Sequence, residues 1–289
     1  MIKINGQAVE RELFPNNEML VHTDFLNNLT EPFDIHFSFW SNEDLIELFF
    51  VTAHLKDIRK TDFNLYIHYM PYSRMDRNQN GNCFSLKHIT DLIKVFVRSG
   101  LNKIYIVEPH SDVTLDLMNA ERINAITPLM NKILELHSDI DVICYPDKGA
   151  KARFCDDTVN LPVVYCEKVR DFDTGEIKGL ELQGDIDLNG KNILILDDLC
   201  SKGGTFYHTA NKLHEAGAKD VYLGVCHMEV SVKDGNIYQK NKEQATPIKH
   251  MYCFDTMLGE IPKLLLVGCS ENMTIFSIDK FLEKNIVEV

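Results

Sequence analysis

The chain has 289 residues, 45% hydrophobic and 25% charged, which is the composition of an ordinary globular protein with a core of its own. Acidic residues outnumber basic ones by 43 to 30, and the formal net charge of −13 argues against non-specific nucleic-acid binding, which depends on Lys and Arg. The 8 cysteines form no CxxC pair, so the sequence indicates neither a zinc site nor a disulfide framework. We expect no nucleic-acid partner.

The opening segment MIKINGQAVERELFP lacks the apolar core of a signal peptide. No window of the sequence approaches the roughly 18 apolar residues that a membrane-spanning helix needs. We therefore expect a cytoplasmic protein with no membrane partner.

The predicted elements alternate between strands and helices along the chain. An N-terminal hairpin pairs residues 2–4 with residues 9–13 across the turn dipeptide Asn5-Gly6. The further predicted strands are residues 19–23, 33–39, 64–69, 103–107, 141–145, 163–166, 193–196 and 221–226. Helices are predicted after Ser41 or Asn42 as the N-cap, over 85–98, over most of 114–138 with an interruption near Pro128, and after Thr205.

This alternation predicts an α/β protein in which a mostly parallel sheet is flanked by helices. The pattern occurs twice, so we predict two similar halves, residues 1–130 and 131–289, whose strand-end residues surround one cleft. In such sheets ligands bind outside the carboxyl ends of the strands. Most of the charged clusters in this sequence follow directly after a predicted strand.

One such cluster lies in residues 191–209, KNILILDDLCSKGGTFYHT. The apolar run 193–196 ends at Asp197 and Asp198, and Gly203-Gly204 then leads into an amphipathic helix. A helix N-terminus after a glycine turn can bind a phosphate, and the acids could bind sugar hydroxyls or magnesium. The alternative is an ordinary turn with solvated acids. Two adjacent acids favour a functional site, because Asp is a poor strand former and like charges repel.

Four other positions follow strands. Arg74, Asp76 and Arg77 in PYSRMDR could clamp a polyphosphate, although a surface ion-pair cluster would look the same. Glu108, His110 and Asp112 have the spacing at which an extended backbone points all three side chains one way, which suits a divalent ion; a packed histidine is the alternative.

Asp147 is either a site acid or a turn residue. Lys168 and Arg170 precede the polar tract DFDTGEIKG, either a solvated loop or a flap that closes on a phosphoryl group.

Together these motifs resemble the ribose-phosphate pyrophosphokinases, which have the phosphoribosyltransferase-type fold. Phe14, Asn16 and Glu18 match the family segment that contributes to the adenine pocket of a neighbouring subunit. PYSRMDR, Glu108-Pro109-His110 and the Pro-Asp of residues 146–147 match its phosphate and magnesium motifs. Lys168-Val169-Arg170 matches its catalytic flap, and residues 197–205 match its ribose-phosphate loop.

The resemblance implies two phosphoribosyltransferase-like halves, with ATP handled by residues 1–130 and the ribose phosphate by residues 131–289. The implied reaction is Mg²⁺-dependent transfer of the β,γ-pyrophosphoryl group of ATP to the anomeric hydroxyl of ribose 5-phosphate. The implied roles are as follows: Lys168 and Arg170 are catalytic; Phe14, Asn16, Glu18, Arg74, Asp76, Arg77 and His110 bind ATP; Asp197, Asp198, Ser201, Lys202, Gly203, Gly204 and Thr205 bind the sugar phosphate; Glu108, His110, Asp112 and Asp147 bind metal. Because the segment at residues 14–18 serves a neighbour, the resemblance also implies a homo-oligomer, either a dimer or a hexamer.

The loop departs from the family pattern at two positions, because an acid and a small hydroxyl residue usually stand where Ser201 and Lys202 do. Lys202 could pair with the 5-phosphate, or it could suit the phosphodiester of ADP-ribose, so the same chemistry on ADP-ribose, serving NAD resynthesis, is an alternative. A non-catalytic regulatory homologue is a second alternative, although the presence of His110, Lys168 and Arg170 favours an enzyme. A phosphoribosyltransferase acting on a base is the third, and it would have no use for PYSRMDR.

Overall fold

The structure is a computed structural model that describes residues 1–78, 81–155, 160–170, 177–238, 245–258 and 272–286. The chain divides into two compact units, Met1–Asn124 and Ala125–Val289. Residue 131, where we placed the start of the second half, lies within helix Ile126–Leu136, which belongs whole to the second unit.

The strands, in chain order, are β1 Ile2–Ile4, β2 Gln7–Ala8, β3 Glu10–Leu13, β4 Met19–His22, β5 Phe33–Phe37, β6 Phe63–Ile67, β7 Leu101–Val107, β8 Glu121–Ile123, β9 Val142–Tyr145, β10 Val163–Arg170, β11 Ile177–Gln183, β12 Asn192–Cys200, β13 Asp220–Met228, β14 His250–Phe254 and β15 Met273–Phe276. The α-helices are α1 Glu43–Asp57, α2 Ser85–Val97, α3 Asp112–Met118, α4 Ile126–Leu136, α5 Lys148–Phe154, α6 Gly204–Glu215 and α7 Ile278–Ile286. Among the described residues, short 3-10 helices span Asp24–Asn28 and Val230–Asp234.

The first unit is built on a six-stranded sheet of order β2-β1-β5-β6-β7-β8. Strands β5 to β8 run parallel, and β1 is antiparallel to both of its neighbours. Apolar side chains from one face of β5, β6 and β7 pack against α1 and α2 to form the core. This packing leaves the loops after β6 and β7 at one edge of the sheet, where PYSRMDR and Glu108 lie.

The N-terminal hairpin differs from the sequence prediction in its partner strand. Asn5 and Gly6 both have positive φ, 48° and 82°, and form a two-residue turn that places Ile4 opposite Gln7. The hairpin partner of β1 is therefore β2. The segment we predicted as that partner forms β3, which pairs instead with β4.

The predicted helix over residues 114–138 is replaced by α3, β8 and α4. Asn119 adopts the left-handed conformation, φ 50°, at the C-cap of α3 and ends that helix. Strand β8 then extends the parallel sheet beside β7. Pro128 does not interrupt a helix, because it stands in the first turn of α4, where its missing N–H has no intrahelical partner to lose.

The second unit is built on a seven-stranded sheet of order β11-β10-β9-β12-β13-β14-β15. All pairings are parallel except that of β10 with β11. Strand β12 lies in the middle, and α4, α5 and α6 pack against strands of this sheet. The predicted α/β class, with two mostly parallel sheets flanked by helices, is confirmed. Among the described residues, no helix is long and apolar enough to cross a bilayer.

Candidate functional site

The adjacent acids Asp197 and Asp198 lie near the end of β12, the central strand of the second unit. Asp198 is buried, and Arg153 Nη2 lies 2.8 Å from its Oδ1 and 3.4 Å from Oδ1 of Asp197. The backbone N–H of Asp198 also donates to Asp197 Oδ1 at 2.9 Å. The structure therefore places one guanidinium against both carboxylates.

The environment of Asp197 changes the ionisation of its carboxyl group. Burial and then the neighbouring charge of Asp198 raise the pKa of Asp197 well above its usual range, although Arg153 opposes the shift. Sequence reasoning missed Arg153, which lies near the end of α5 and far from the acids along the chain. The one available signal was its position in the tract that begins with Asp147.

The loop after β12 forms the N-terminus of α6. Gly203 has a positive φ of 78° at the N-cap, and a Cβ added there would lie 2.1 Å from Cδ1 of Ile237. A Cβ added to Gly204 would have no atom of the described residues within 4 Å. The first turn of this helix therefore offers backbone N–H groups beside open space, which is where a phosphate binds well. Lys202 and Thr205 are exposed there.

The segment 229–237, which we call the backing segment, lies behind this loop. A Cβ added to Gly235 would lie 1.8 Å from the carbonyl oxygen of Lys202, so only glycine allows this approach. The Ser201 hydroxyl donates to Glu229 Oε2 at 2.6 Å. Sequence reasoning missed Glu229 as well, because it belongs to the loop of a different strand.

Asp147 is the N-cap of α5, and its Oδ1 accepts the N–H of Ala150 at 3.0 Å. A carboxylate has two oxygens and several acceptor sites, so its role as an N-cap does not prevent Asp147 from binding a ligand as well. The predicted flap is an antiparallel hairpin of β10 and β11. Lys168 and Arg170 lie in β10, opposite Leu180 and Ile177, and residues 171–176 of the predicted flap fall outside the described residues.

In the first unit, PYSRMDR follows β6 at the carboxyl edge of the sheet. Tyr72 has a positive φ of 61°, and its carbonyl accepts the N–H of Met75 at 3.0 Å, so the chain turns here. Arg74 and Arg77 are exposed, and Arg77 Nε donates to Asp76 Oδ1 at 3.0 Å. Both arginines thus stand at the surface of the edge where ligands of such sheets bind.

Glu108, His110 and Asp112 do not form the extended row that their spacing suggested. Glu108 has a positive φ of 36°, which turns the backbone, and Asp112 is the first residue of α3. Arg122 of β8 bridges the two acids: its Nη1 lies 3.1 Å from Glu108 Oε1, and its Nη2 donates a hydrogen bond to Asp112 Oδ1. Glu108 is buried. The Arg122 guanidinium lies between the two carboxylates, where a metal ion shared by them would have to lie.

The residues of the expected adenine-pocket segment lie at the tip of the β3–β4 hairpin. The N–H of Phe14 donates to the carbonyl of Glu18 at 2.8 Å, and the N–H of Glu18 donates to Asn16 Oδ1 at 3.1 Å. The tip is therefore ordered by its own hydrogen bonds. The side chain of Phe14 is 50% exposed.

No family model matches the chain. It is 30% identical over 226 residues to a ribose-phosphate pyrophosphokinase of Saccharolobus solfataricus, covering 76% of each chain. A ribose-phosphate pyrophosphokinase of Sulfolobus acidocaldarius is 28% identical over 278 residues, which cover 92% of this chain and 90% of the relative.

The fold is similar to that of a phosphoribosylpyrophosphate synthetase from Mycobacterium smegmatis, with a TM-score of 0.73 and 22% identity. The superposition covers 96% of this chain and 89% of that structure. The fold class with two phosphoribosyltransferase-like halves is thus confirmed by a solved structure. With a 30% identical relative of which it covers 76%, the chain belongs to the ribose-phosphate pyrophosphokinase family and is an enzyme of that type.

Proposed function

We propose that the protein transfers the β,γ-pyrophosphoryl group of ATP to the 1-hydroxyl of ribose 5-phosphate. The hydroxyl oxygen forms a bond to the β-phosphorus, and the bond from that phosphorus to the α,β-bridging oxygen breaks. The hydroxyl proton is released, AMP departs with the bridging oxygen, and the other product is 5-phosphoribosyl 1-pyrophosphate. The observation that carries this proposal is the pair of acids, Asp197 and Asp198, followed within one loop by the open N-terminus of α6.

On the sugar side, ribose hydroxyls donate hydrogen bonds to the two carboxylates, because a hydroxyl carries a proton and an ionised carboxylate can only accept one. The 5-phosphate binds the first backbone N–H groups of α6 and the hydroxyl of Thr205. The open space beside Gly204 supports this placement, because a phosphate must approach the backbone closely. Arg153 keeps the acid pair oriented, which is its part in the proposed site.

On the ATP side, the arginines Arg74 and Arg77 bind the phosphates, with Asp76 orienting Arg77. His110 belongs to the same set of residues that bind ATP. The exposed ring of Phe14, together with Asn16 and Glu18, packs on the adenine bound by a second copy of the chain, so we propose a dimer or a hexamer. The first unit is thus the ATP side and the second unit the ribose-phosphate side.

Lys168 and Arg170 are the proposed catalytic cations. Pyrophosphoryl transfer spreads negative charge over the migrating group, and positively charged side chains stabilise that charge in the transition state. Their place in an antiparallel hairpin at the edge of the sheet supports a role in covering the bound substrates.

Magnesium is the proposed metal, because it binds carboxylate and phosphate oxygens and would neutralise the ATP phosphates. His110 and Asp147 have the right chemistry and are partly exposed. Glu108 and Asp112 fit less well as direct ligands, because Arg122 bridges them. We propose that these two acids act through Arg122, as support for the loop that bears His110.

The test is to mix the purified protein with Mg²⁺, ATP and ribose 5-phosphate and to measure AMP and the pyrophosphorylated sugar. Equal amounts of the two products are expected. Release of ADP in place of AMP would contradict pyrophosphoryl transfer. The matched control omits the sugar, which separates transfer from hydrolysis of ATP.

A second candidate acceptor is ADP-ribose, which would place the protein in NAD resynthesis. The observation in its favour is the exposed lysine, Lys202, at the loop position next to Gly203. A flexible cation at this position can pair with a phosphodiester that continues past the ribose. The same assay with ADP-ribose as acceptor distinguishes the two substrates, and no AMP above the control would exclude ADP-ribose.

A further inference from the structure

The first loop residue after β12, Ser201, belongs to a cluster of two hydroxyls around one carboxylate. The hydroxyl of Ser201 donates to Glu229 Oε2 at 2.6 Å, and the hydroxyl of Ser231 donates to the same oxygen at 3.0 Å. The two hydroxyl oxygens are 3.1 Å apart. Glu229 follows directly after β13, the parallel neighbour of β12, so the cluster joins two adjacent strand ends.

The backbone fixes this arrangement as firmly as the side chains do. Cys200 lies opposite Met228 in the sheet, and the N–H of Glu229 donates to the carbonyl of Cys200 at 2.8 Å. On the other side of Ser201, the close approaches of Gly203 to Ile237 and of the Lys202 carbonyl to Gly235 hold the loop against the backing segment. These contacts hold Ser201 beside Glu229.

The hydrogen-bond polarity of this cluster limits what it can bind. A serine hydroxyl has one proton, and an ionised carboxylate has none to donate. Because Ser201 gives its proton to Glu229, it presents only lone pairs to a ligand. A phosphate oxygen is also an acceptor, and the charge of Glu229 repels it. A sugar hydroxyl, which can donate a proton, is the complementary ligand.

We propose that Glu229 is a positioning and specificity-determining residue, which makes the start of the loop a site for a sugar hydroxyl and confines the phosphate to the N-terminus of α6. The identity of the sugar as a ribose phosphate rests on the proposed function. The carboxylate beside Ser201 comes from the residue that follows the neighbouring strand. The loop thus has two parts that bind different groups. The part at Ser201 binds a sugar hydroxyl, and the helix N-terminus after Gly203 binds the phosphate.

Calorimetric binding of two probes, ribose 5-phosphate and inorganic phosphate, tests the division. Glu229→Gln removes the charge, and its amide can donate to Ser201, so the affinity for ribose 5-phosphate should fall about tenfold or more. The affinity for inorganic phosphate should stay the same or rise, because a repelling charge is gone. Glu215→Gln, an exposed residue of α6 paired with Lys212, is the matched control and should change neither affinity. Equal losses for both probes, or no change for the sugar phosphate, would overturn the proposal.

A charge-exchange variant addresses the possibility that Glu229→Gln misfolds. In the double variant Ser201→Asp/Glu229→Gln, the carboxylate returns to the loop, and binding of ribose 5-phosphate should recover by at least half of the lost factor. If Glu229 merely holds the loop together, the double variant will bind no better than the single one. That result would also overturn the proposal.

Binding and turnover separate this proposal from the proposed function. A wild-type protein that binds ribose 5-phosphate without releasing AMP would refute the reaction and leave the role of Glu229 supported or refuted by the variants. A wild-type protein that turns over while Glu229→Gln binds and reacts equally well would refute only the role of Glu229. A wild-type protein that does not bind the sugar phosphate would refute both.

Discussion

Arg153 Nη2 lies 2.8 Å from Asp198 Oδ1, which joins α5 to the end of the central strand β12 through an ion pair whose carboxylate is buried. Removal of the guanidinium would take away the positive charge that lies against this buried carboxylate. We predict that Arg153→Ala lowers the free energy of unfolding of the second unit by about 3 kcal/mol, the usual cost of breaking a buried pair from one side. Urea denaturation followed by circular dichroism measures this change.

The exposed Arg98→Ala, at the end of α2, is the matched control for the loss of an arginine. It should change the unfolding free energy by less than about 0.5 kcal/mol. If both variants behave alike, the ion pair does not stabilise the fold. Arg153→Lys should retain part of the stability, because a lysine can neutralise one carboxylate but cannot contact both with one planar group.

The stability of the protein should depend on the ionisation of Asp197. Its pKa in the folded protein lies above the unfolded value of about 3.9, because of burial and the neighbouring Asp198. The folded state therefore binds more protons than the unfolded state between these two values, and stability falls as the pH rises through that window. Asn does not titrate, so Asp197→Asn should melt at the same temperature as the wild type near pH 4 and at a higher temperature at pH 8.

Melting curves across this pH range test the sign of the effect. The exposed Asp185→Asn is the matched control. An advantage of Asp197→Asn that shrinks with rising pH would contradict the raised pKa. The same variant should bind ribose 5-phosphate more weakly at pH 8, because it has lost a carboxylate acceptor from the proposed sugar site.

The two glycines of the loop should respond differently to alanine. Gly203→Ala places a Cβ 2.1 Å from Ile237 at a positive φ, and we expect a loss of about 2–4 kcal/mol in unfolding free energy. Gly204→Ala meets open space in a helical position and should leave the melting temperature nearly unchanged. It should nevertheless weaken binding of ribose 5-phosphate, because the methyl group occupies the space proposed for the phosphate. Unchanged binding in a folded Gly204→Ala protein would place the phosphate elsewhere.

The proposed catalytic cations should affect turnover more than binding. Lys168→Ala and Arg170→Ala are each expected to lower kcat about 100-fold or more, because each removes a charge that stabilises the transition state. KM values and the melting temperature should change little. Lys219→Ala, an exposed residue before β13, is the matched control. A variant at Lys168 that keeps the wild-type kcat would remove that residue from the mechanism.

Much of the architecture could be predicted from the sequence. The apolar runs that became β6, β9, β12 and β13 are buried on both faces, so their composition marks them as strands of a covered sheet. The rule that ligands bind at the carboxyl ends of strands then directed attention to the positions after β6 and β12. The Gly203-Gly204 start of α6 was likewise visible in the sequence.

The errors have physical causes. Strand β8 has only three residues, Glu121–Ile123, and a segment this short has too little periodicity to separate it from the neighbouring helices. The positive φ of Glu108 is rare for a residue with a Cβ and left no signal in the sequence. Arg153 and Glu229 were missed because each acts from another element, Arg153 on Asp198 of β12 and Glu229 on the loop residue that follows this strand. Only the packing of the sheet brings these side chains together.

The hairpin of β10 and β11 has a mechanical consequence. Strand β10 pairs with β9 only at residues 163–165, whereas its pairing with β11 continues to Arg170, with a bulge between Val169 and Arg170. Within the described residues, β10 is therefore held on both sides only at residues 163–165, and its outer half pairs with β11 alone. At about 3.3 Å per residue, Arg170 stands roughly 17 Å from the last fixed pair at Tyr165. A bend in this part of the hairpin would involve β10 and β11 and no other described strand of the sheet. We therefore expect Lys168 and Arg170 to change position more readily than the carboxylates at the end of β12.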